Sequence, residues 1–186
     1  MRDSQRSKVY NAERMVDAWK ETPYDALSGA EAFIDKVTGS PYTQRKWGYI
    51  KPAVMDGRGC RSARGSRYQI VLPRWARTRL VILHELAHGY TAQQARIAPK
   101  WFMSPGRPTP FSDYNGIEYA SHGWQFCTIY LDLVRHFIGK QAHDELKAAF
   151  KTKRVKSRRP RAKRPATPQQ LAALAKARAA RKVQVG

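Results

Sequence analysis

The sequence predicts a single α+β domain followed by a basic tail, and three observations carry that prediction. Helical periodicity recurs in several separate stretches of the chain. Short β-rich pieces bounded by glycine occur only between Trp47 and Leu72. Residues 151–186 hold 13 of the 35 Lys and Arg and no acid, a composition that cannot bury enough apolar surface to fold alone. With 186 residues, 42% of them hydrophobic and 11% aromatic, the rest of the chain has the material for one ordinary core. A collagen, a coiled coil and a membrane protein are excluded on composition, since no apolar run approaches the roughly 18 residues of a spanning helix. The N-terminus lacks the apolar core of a signal peptide, so the expected location is cytoplasmic. Cys60 and Cys127 have no CxxC around them, which argues against a disulfide scaffold and for two small buried side chains.

The elements follow in order. Asp3 or Ser4 can cap a first helix through Lys20, with Val9, Ala12, Met15, Val16 and Trp19 at helical spacing before Pro23. Ser28-Gly29-Ala30-Glu31 reads as a capping box for a second helix that ends near Gly39-Ser40-Pro41. Trp47 to Ile50 and Tyr68 to Leu72 read as strands of a small sheet, separated by the glycine-rich Gly57 to Gly65. Helical periodicity returns at Thr78 to Thr91, breaks across the proline-rich loop Pro99 to Asn115, and resumes from Ile117 to Ile138. A last helix from Lys140 to about Phe150 closes the domain, 1–150. In the tail, 151–186, Thr167-Pro168-Gln169-Gln170 can open a short Ala-rich helix at 168–182.

Chemistry concentrates in His84-Glu85-Leu86-Ala87-His88, an HExxH pattern inside a segment that periodicity independently reads as helical. Positions i and i+4 share a helix face about 6 Å apart, so both imidazoles can reach one Zn²⁺ at about 2.0–2.1 Å. Glu85 then stands where it can take a proton from a water at the metal. The neighbours Val81, Ile82, Leu83, Leu86 and Ala87 make this a buried helix, where two histidines and a glutamate are costly unless paired or metal-bound. A catalytic zinc needs a third protein ligand. His122, and Glu118 four residues before it, both sit early on the next helical stretch, and either could serve while the other supports it. His136 lies too far along that helix, and His143 reads as a surface histidine.

HELAH followed by a helical segment carrying His122-Gly123-Trp124-Gln125-Phe126, an HGxxF pattern, resembles the SprT/Spartan-like zincin metallopeptidases. That resemblance implies a zincin-like fold, with a small mixed sheet packed on the HExxH helix and on a second ligand-bearing helix. It also implies His84, His88 and His122 as zinc ligands, Glu85 as general base, and a protein or peptide substrate. The opening Arg2 to Tyr10 and the stretch Leu72 to Arg77 are similar to an uncharacterised group of metallohydrolases from actinobacteria and their phages. Three departures stand out. Trp124-Gln125 replaces the family's usual Pro-Glu, the interval between His88 and His122 is long because of the loop Trp101 to Tyr114, and the downstream CxxC zinc module is absent.

Seven arginines (Arg58, Arg61, Arg64, Arg67, Arg74, Arg77, Arg79) and no acid lie between Asp56 and Glu85. With tail residues 151–182 they make a footprint for non-specific DNA, since cations that neutralise phosphates release counterions. The expected protein is therefore a zinc-dependent metallopeptidase acting on or near nucleic acid, free in the cytoplasm or associated with the nucleoid. Its rivals are a nucleic-acid-binding protein with a structural zinc and a metal-dependent hydrolase of non-peptide substrates. Tyr90, Tyr114 and Tyr119 are the candidates for stabilising an oxyanion.

Overall fold

The computed structural model describes residues 3, 5–97, 121–158 and 169. Among these are six α-helices and a three-stranded mixed sheet, which is an α+β arrangement. The helices are α1 (Arg6–Glu13), α2 (Leu27–Thr38), α3 (Pro41–Trp47), α4 (Arg79–Ile97), α5 (Trp124–Phe137) and α6 (Lys140–Thr152). The strands β1 (Ala53–Asp56), β2 (Arg64–Gly65) and β3 (Gln69–Leu72) lie in the order β1-β3-β2. β1 runs parallel to β3 from Ala53 opposite Gln69 to Asp56 opposite Leu72, and β2 pairs antiparallel through Arg64 opposite Val71.

α4 is the centre of the molecule. It is packed by α5 on one side, touched by α2 and α3, and crossed by β2, while α6 covers α5 and α1 lies against α6. Leu80, Ile82, Leu83, Leu86 and Ala87 are fully buried around its circumference, and from Leu80 to Thr91 every residue but the half-buried His88 is enclosed, the pattern of a segment that has no solvent face. α5 supplies Phe126, Tyr130, Leu133 and Val134, and β3 supplies Ile70 and Leu72. The HExxH motif thus sits on the most enclosed element of the fold. Among the described residues, no helix is long and apolar enough to cross a membrane.

Several sequence expectations shift. The first helix stops at Glu13, and the stretch up to Lys20 is completed by a 3-10 turn, Asp17–Lys20, because Val16 is extended at φ −96° and ψ 137°. Asp3 does not hold its N-cap position, which belongs to Gln5, and Ser4 lies outside the described residues. The capping box at Ser28 does not form either: α2 starts two residues earlier than that cap implies, at Leu27, with Ala26 at its N-cap. Gly39-Ser40-Pro41 ends one helix and begins another, since the Ser40 hydroxyl accepts from the Tyr42 N–H at 3.3 Å and Pro41 takes a first-turn position. Trp47 is accordingly the end of α3 and not a strand, and Gly48 at φ 85° breaks the helix. The strand that pairs with β3 is Ala53–Asp56. α5 begins at Trp124, so His122 stands in the turn ahead of the helix.

The boundary expected at Phe150 falls inside α6. Val155 beyond it is buried, the Lys156 N–H donates to the Gln5 side chain at 2.5 Å, and the Ser157 carbonyl accepts from Thr128 at 3.0 Å. The expected loop Pro99 to Asn115, with Tyr114, Glu118, Tyr119 and, Gln169 excepted, the tail beyond Arg158, lies outside the described residues.

Candidate metal centre

Three histidines from two places in the chain converge. His84 and His88 project from adjacent turns of α4, and His122 comes from the turn before α5, which packs alongside. The Nε2 of His84 lies 3.2 Å from that of His88 and 3.3 Å from that of His122, and one nitrogen from each ring lies within 4.8 Å of the others. A tetrahedral ion with nitrogen bonds of about 2.0–2.1 Å requires ligand atoms about 3.3 Å apart. The group could therefore hold a metal ion. Phe126 walls it, with its ring centroid 4.9 Å from His84, 4.5 Å from His88 and 4.9 Å from His122.

The opposite ring nitrogens explain why the Nε2 atoms aim inward. His84 Nδ1 meets the Glu13 carboxyl at 2.6 Å, and both side chains are 2% exposed. His122 Nδ1 meets Asp3 at 2.5 Å. A carboxylate that accepts from Nδ1–H fixes the tautomer with the Nε2 lone pair free for a metal. Glu13 is itself held by the Tyr130 hydroxyl of α5. The His122 backbone is pinned as well, because Gln5 donates to its carbonyl at 2.8 Å. Sequence reading missed Glu13 and gave Asp3 a different job. The available signal was an acid four residues after Val9, on the stripe that buries Val9, Ala12 and Val16.

Electrostatics separate the three rings. Burial disfavours the charged form of His84, but the Glu13 carboxyl outweighs it and moves the pKa up. His88 is pushed well below the usual histidine range, first by burial and then by His84, His122 and Arg6. His122 is also lowered, chiefly by burial, although Asp3 acts in the other direction. His88 and His122 are thus neutral near pH 7, the state in which an imidazole binds metal.

Glu85 is 4% exposed. Its pKa is raised by burial, with Glu13 adding to the effect, while His84 and a hydrogen bond from the Gly65 N–H of β2 pull it down. It lines two clefts. The larger, about 340 Å³, also contains His88, His122, Arg64 and Gly65, and the smaller, about 190 Å³, contains His84 and Trp75. Arg6 and Tyr10 of α1 border both. The Tyr10 ring stacks on His84 at 5.3 Å and meets His122 edge-on at 5.4 Å. Composition gave no hint that α1 roofs the centre.

Other candidates do not converge there. Tyr90 is fully buried against Trp47, 5.3 Å between ring centroids, so it does not serve the site. His136 stacks on Tyr42 at 4.0 Å, and His143 pairs with Asp144 at 2.8 Å. Of the arginines, Arg58, Arg61, Arg64 and Arg74 are exposed and Arg67 is half-buried over Tyr68. Arg77 is buried on Asp56 at 2.9 Å and Arg79 pairs with Glu21 at 2.7 Å, so those two are not available as exposed cations. Comparisons with family models, curated proteins and solved structures return no match.

Proposed function

We propose that this chain is a zinc metallopeptidase of the SprT-like zincin kind, with His84, His88 and His122 as the ligands and Glu85 as the general base. One observation carries the reading: the Nε2 of His84 stands at tetrahedral ligand spacing from the Nε2 of His88 and from that of His122, and Glu85 lines the same cleft as His88 and His122. Zinc in that position would supply a Lewis acid that acidifies water and polarises a carbonyl. Glu85 accepts the proton of the attacking water and returns it to the leaving amine. The Gly65 N–H orients its carboxyl, and enclosure keeps its basicity above that of an exposed glutamate. Glu13 and Asp3 hold two imidazoles in the ligating tautomer, and Phe126 excludes water from their flank. A purely structural zinc has no use for a base beside it, which favours hydrolysis over the staple reading. The basic tail and the exposed Arg58, Arg61, Arg64 and Arg74 bring the enzyme to nucleic acid.

The test pairs metal analysis with proteolysis of an unstructured protein, with and without single-stranded DNA. Wild type should carry about one zinc per chain and cleave. Glu85→Gln should keep the zinc and lose at least about 100-fold in rate, since general base catalysis contributes about 10²–10⁴-fold. His122→Ala should lose stoichiometric zinc. Undiminished cleavage by Glu85→Gln would remove the mechanism, and a wild type that holds zinc but cuts nothing would favour the structural site.

A further inference from the structure

The smaller of the two clefts lies beside the candidate base and is built differently from the larger one. Val81, one helical turn before Glu85 on α4, forms part of it together with Trp19 and Trp75. Trp75 is 48% exposed although it is a large ring, and tryptophan, apolar in body with one polar N–H, is enriched where proteins contact a partner. The volume, about 190 Å³, is below the roughly 300–1,000 Å³ that accommodates a whole small molecule. It suits one side chain of a longer ligand.

The lining also carries a charge bias. Arg6, at the start of α1, and Arg14, the residue just past its end, are both exposed and border the cleft, and among the described residues neither has an acidic partner. The two carboxyls in the same lining are engaged elsewhere, Glu13 with His84 and Tyr130 and Glu85 with the Gly65 N–H. Arg64 adds a third exposed cation at the neighbouring cleft. An incoming chain that passes Glu85 from one cleft to the other therefore meets an apolar slot flanked by guanidinium groups.

We infer that this cleft is a specificity pocket for a large apolar side chain in an acidic stretch of peptide, with Val81, Trp19 and Trp75 holding the apolar group and Arg6 and Arg14 the neighbouring carboxylates. The inference rests on the peptidase reading and names its substrate class. It sets the site apart from the tail: the tail serves phosphates, whereas these two arginines serve carboxylates.

Binding can be measured without turnover in full-length Glu85→Gln. The probes are fluorescein-labelled peptides with one Leu between glutamates on a Gly-Ser background, a Leu→Ser counterpart, and a Glu→Lys counterpart. Anisotropy should show about tenfold weaker binding for the Ser peptide, about 1.4 kcal/mol, and weaker binding again for the Lys peptide. Adding Arg14→Glu should invert the order of the Glu and Lys peptides, and adding Trp75→Ala should erase the preference for Leu while keeping the charge order. Both positions are exposed, so neither change threatens the fold. Equal binding of the Leu and Ser peptides overturns the pocket. So does an unlabelled oligonucleotide that displaces the peptide and itself loses affinity in Arg14→Glu, because the cations would then serve phosphates. Wild-type cleavage of all three peptides at equal rates removes the pocket and leaves the peptidase reading intact. Ordered binding without any cleavage supports the pocket and removes the peptidase.

Discussion

At the scale of single residues, two carboxyls do for the histidines what the HExxH spacing alone cannot. Spacing brings His84 and His88 to one face, but the tautomer of each ring is set by whatever its other nitrogen meets. Glu13 supplies that partner to His84 across 71 residues, and Asp3 supplies it to His122 across 119. Separations of this size explain why the pattern was legible and its supports were not: a motif is local, whereas a hydrogen bond between α1 and α4 exists only after the chain has packed. Glu13→Gln keeps the shape and weakens acceptance from Nδ1–H, so zinc affinity should fall about 10–100-fold, as is typical for such partners. Asp3→Asn should act in the same direction and less strongly, since Asp3 is partly exposed. Competition with a chelating dye measures both. Unchanged zinc affinity in Glu13→Gln would reduce the contact to simple burial of two polar groups.

At the scale of elements, the two-residue strand β2 matters more than its length suggests. A Cβ at Gly65 would stand 2.3 Å from the Glu85 carbonyl, and one at Gly89 would stand 3.0 Å from the Ser66 carbonyl. Glycine on both surfaces lets the strand lie directly on α4 and deliver the Gly65 N–H to the Glu85 carboxyl. Gly65→Ala should force the two apart. The expected cost is about 1–3 kcal/mol, read as a lowered Tm, together with a larger fall in kcat than in zinc content. Loss of zinc in step with activity would instead mean that the whole of α4 moves. Sequence reading placed the sheet correctly between Trp47 and Leu72 and misassigned its members. Trp47 has strand propensity, yet its ring is wanted against Tyr90 and Tyr42 at the end of α3, and tertiary packing overrides a propensity worth about 1 kcal/mol or less. β1, by contrast, is mostly exposed, so no alternation announced it.

At the scale of the whole molecule, the two ends of the described chain are clasped together at the candidate metal centre. Gln5 donates to the His122 carbonyl and accepts from the Lys156 N–H, and Val155 is buried beside them. The folded body therefore continues past the point where the composition changes, because Lys153, Arg154 and Lys156 look like tail although the residue between them, Val155, belongs to the core. Truncation tests where the body stops. A chain ending at Arg158 keeps every one of these contacts and should keep its Tm, its zinc and its rate on a short peptide. A chain ending at Phe150 loses the last two residues of α6, the burial of Val155 and the contact of Gln5 with Lys156, and should melt at lower temperature and bind zinc less tightly. The Arg158 truncation also isolates the electrostatic role of residues 159–186, which hold eight Lys and Arg and no acid. Because log K falls with log salt by about 0.7–0.9 per phosphate neutralised, their removal should weaken binding to single-stranded DNA and flatten the salt dependence by several units of slope. Equal slopes for the full chain and the Arg158 truncation would move the DNA contact to the exposed Arg58, Arg61, Arg64 and Arg74 of the body.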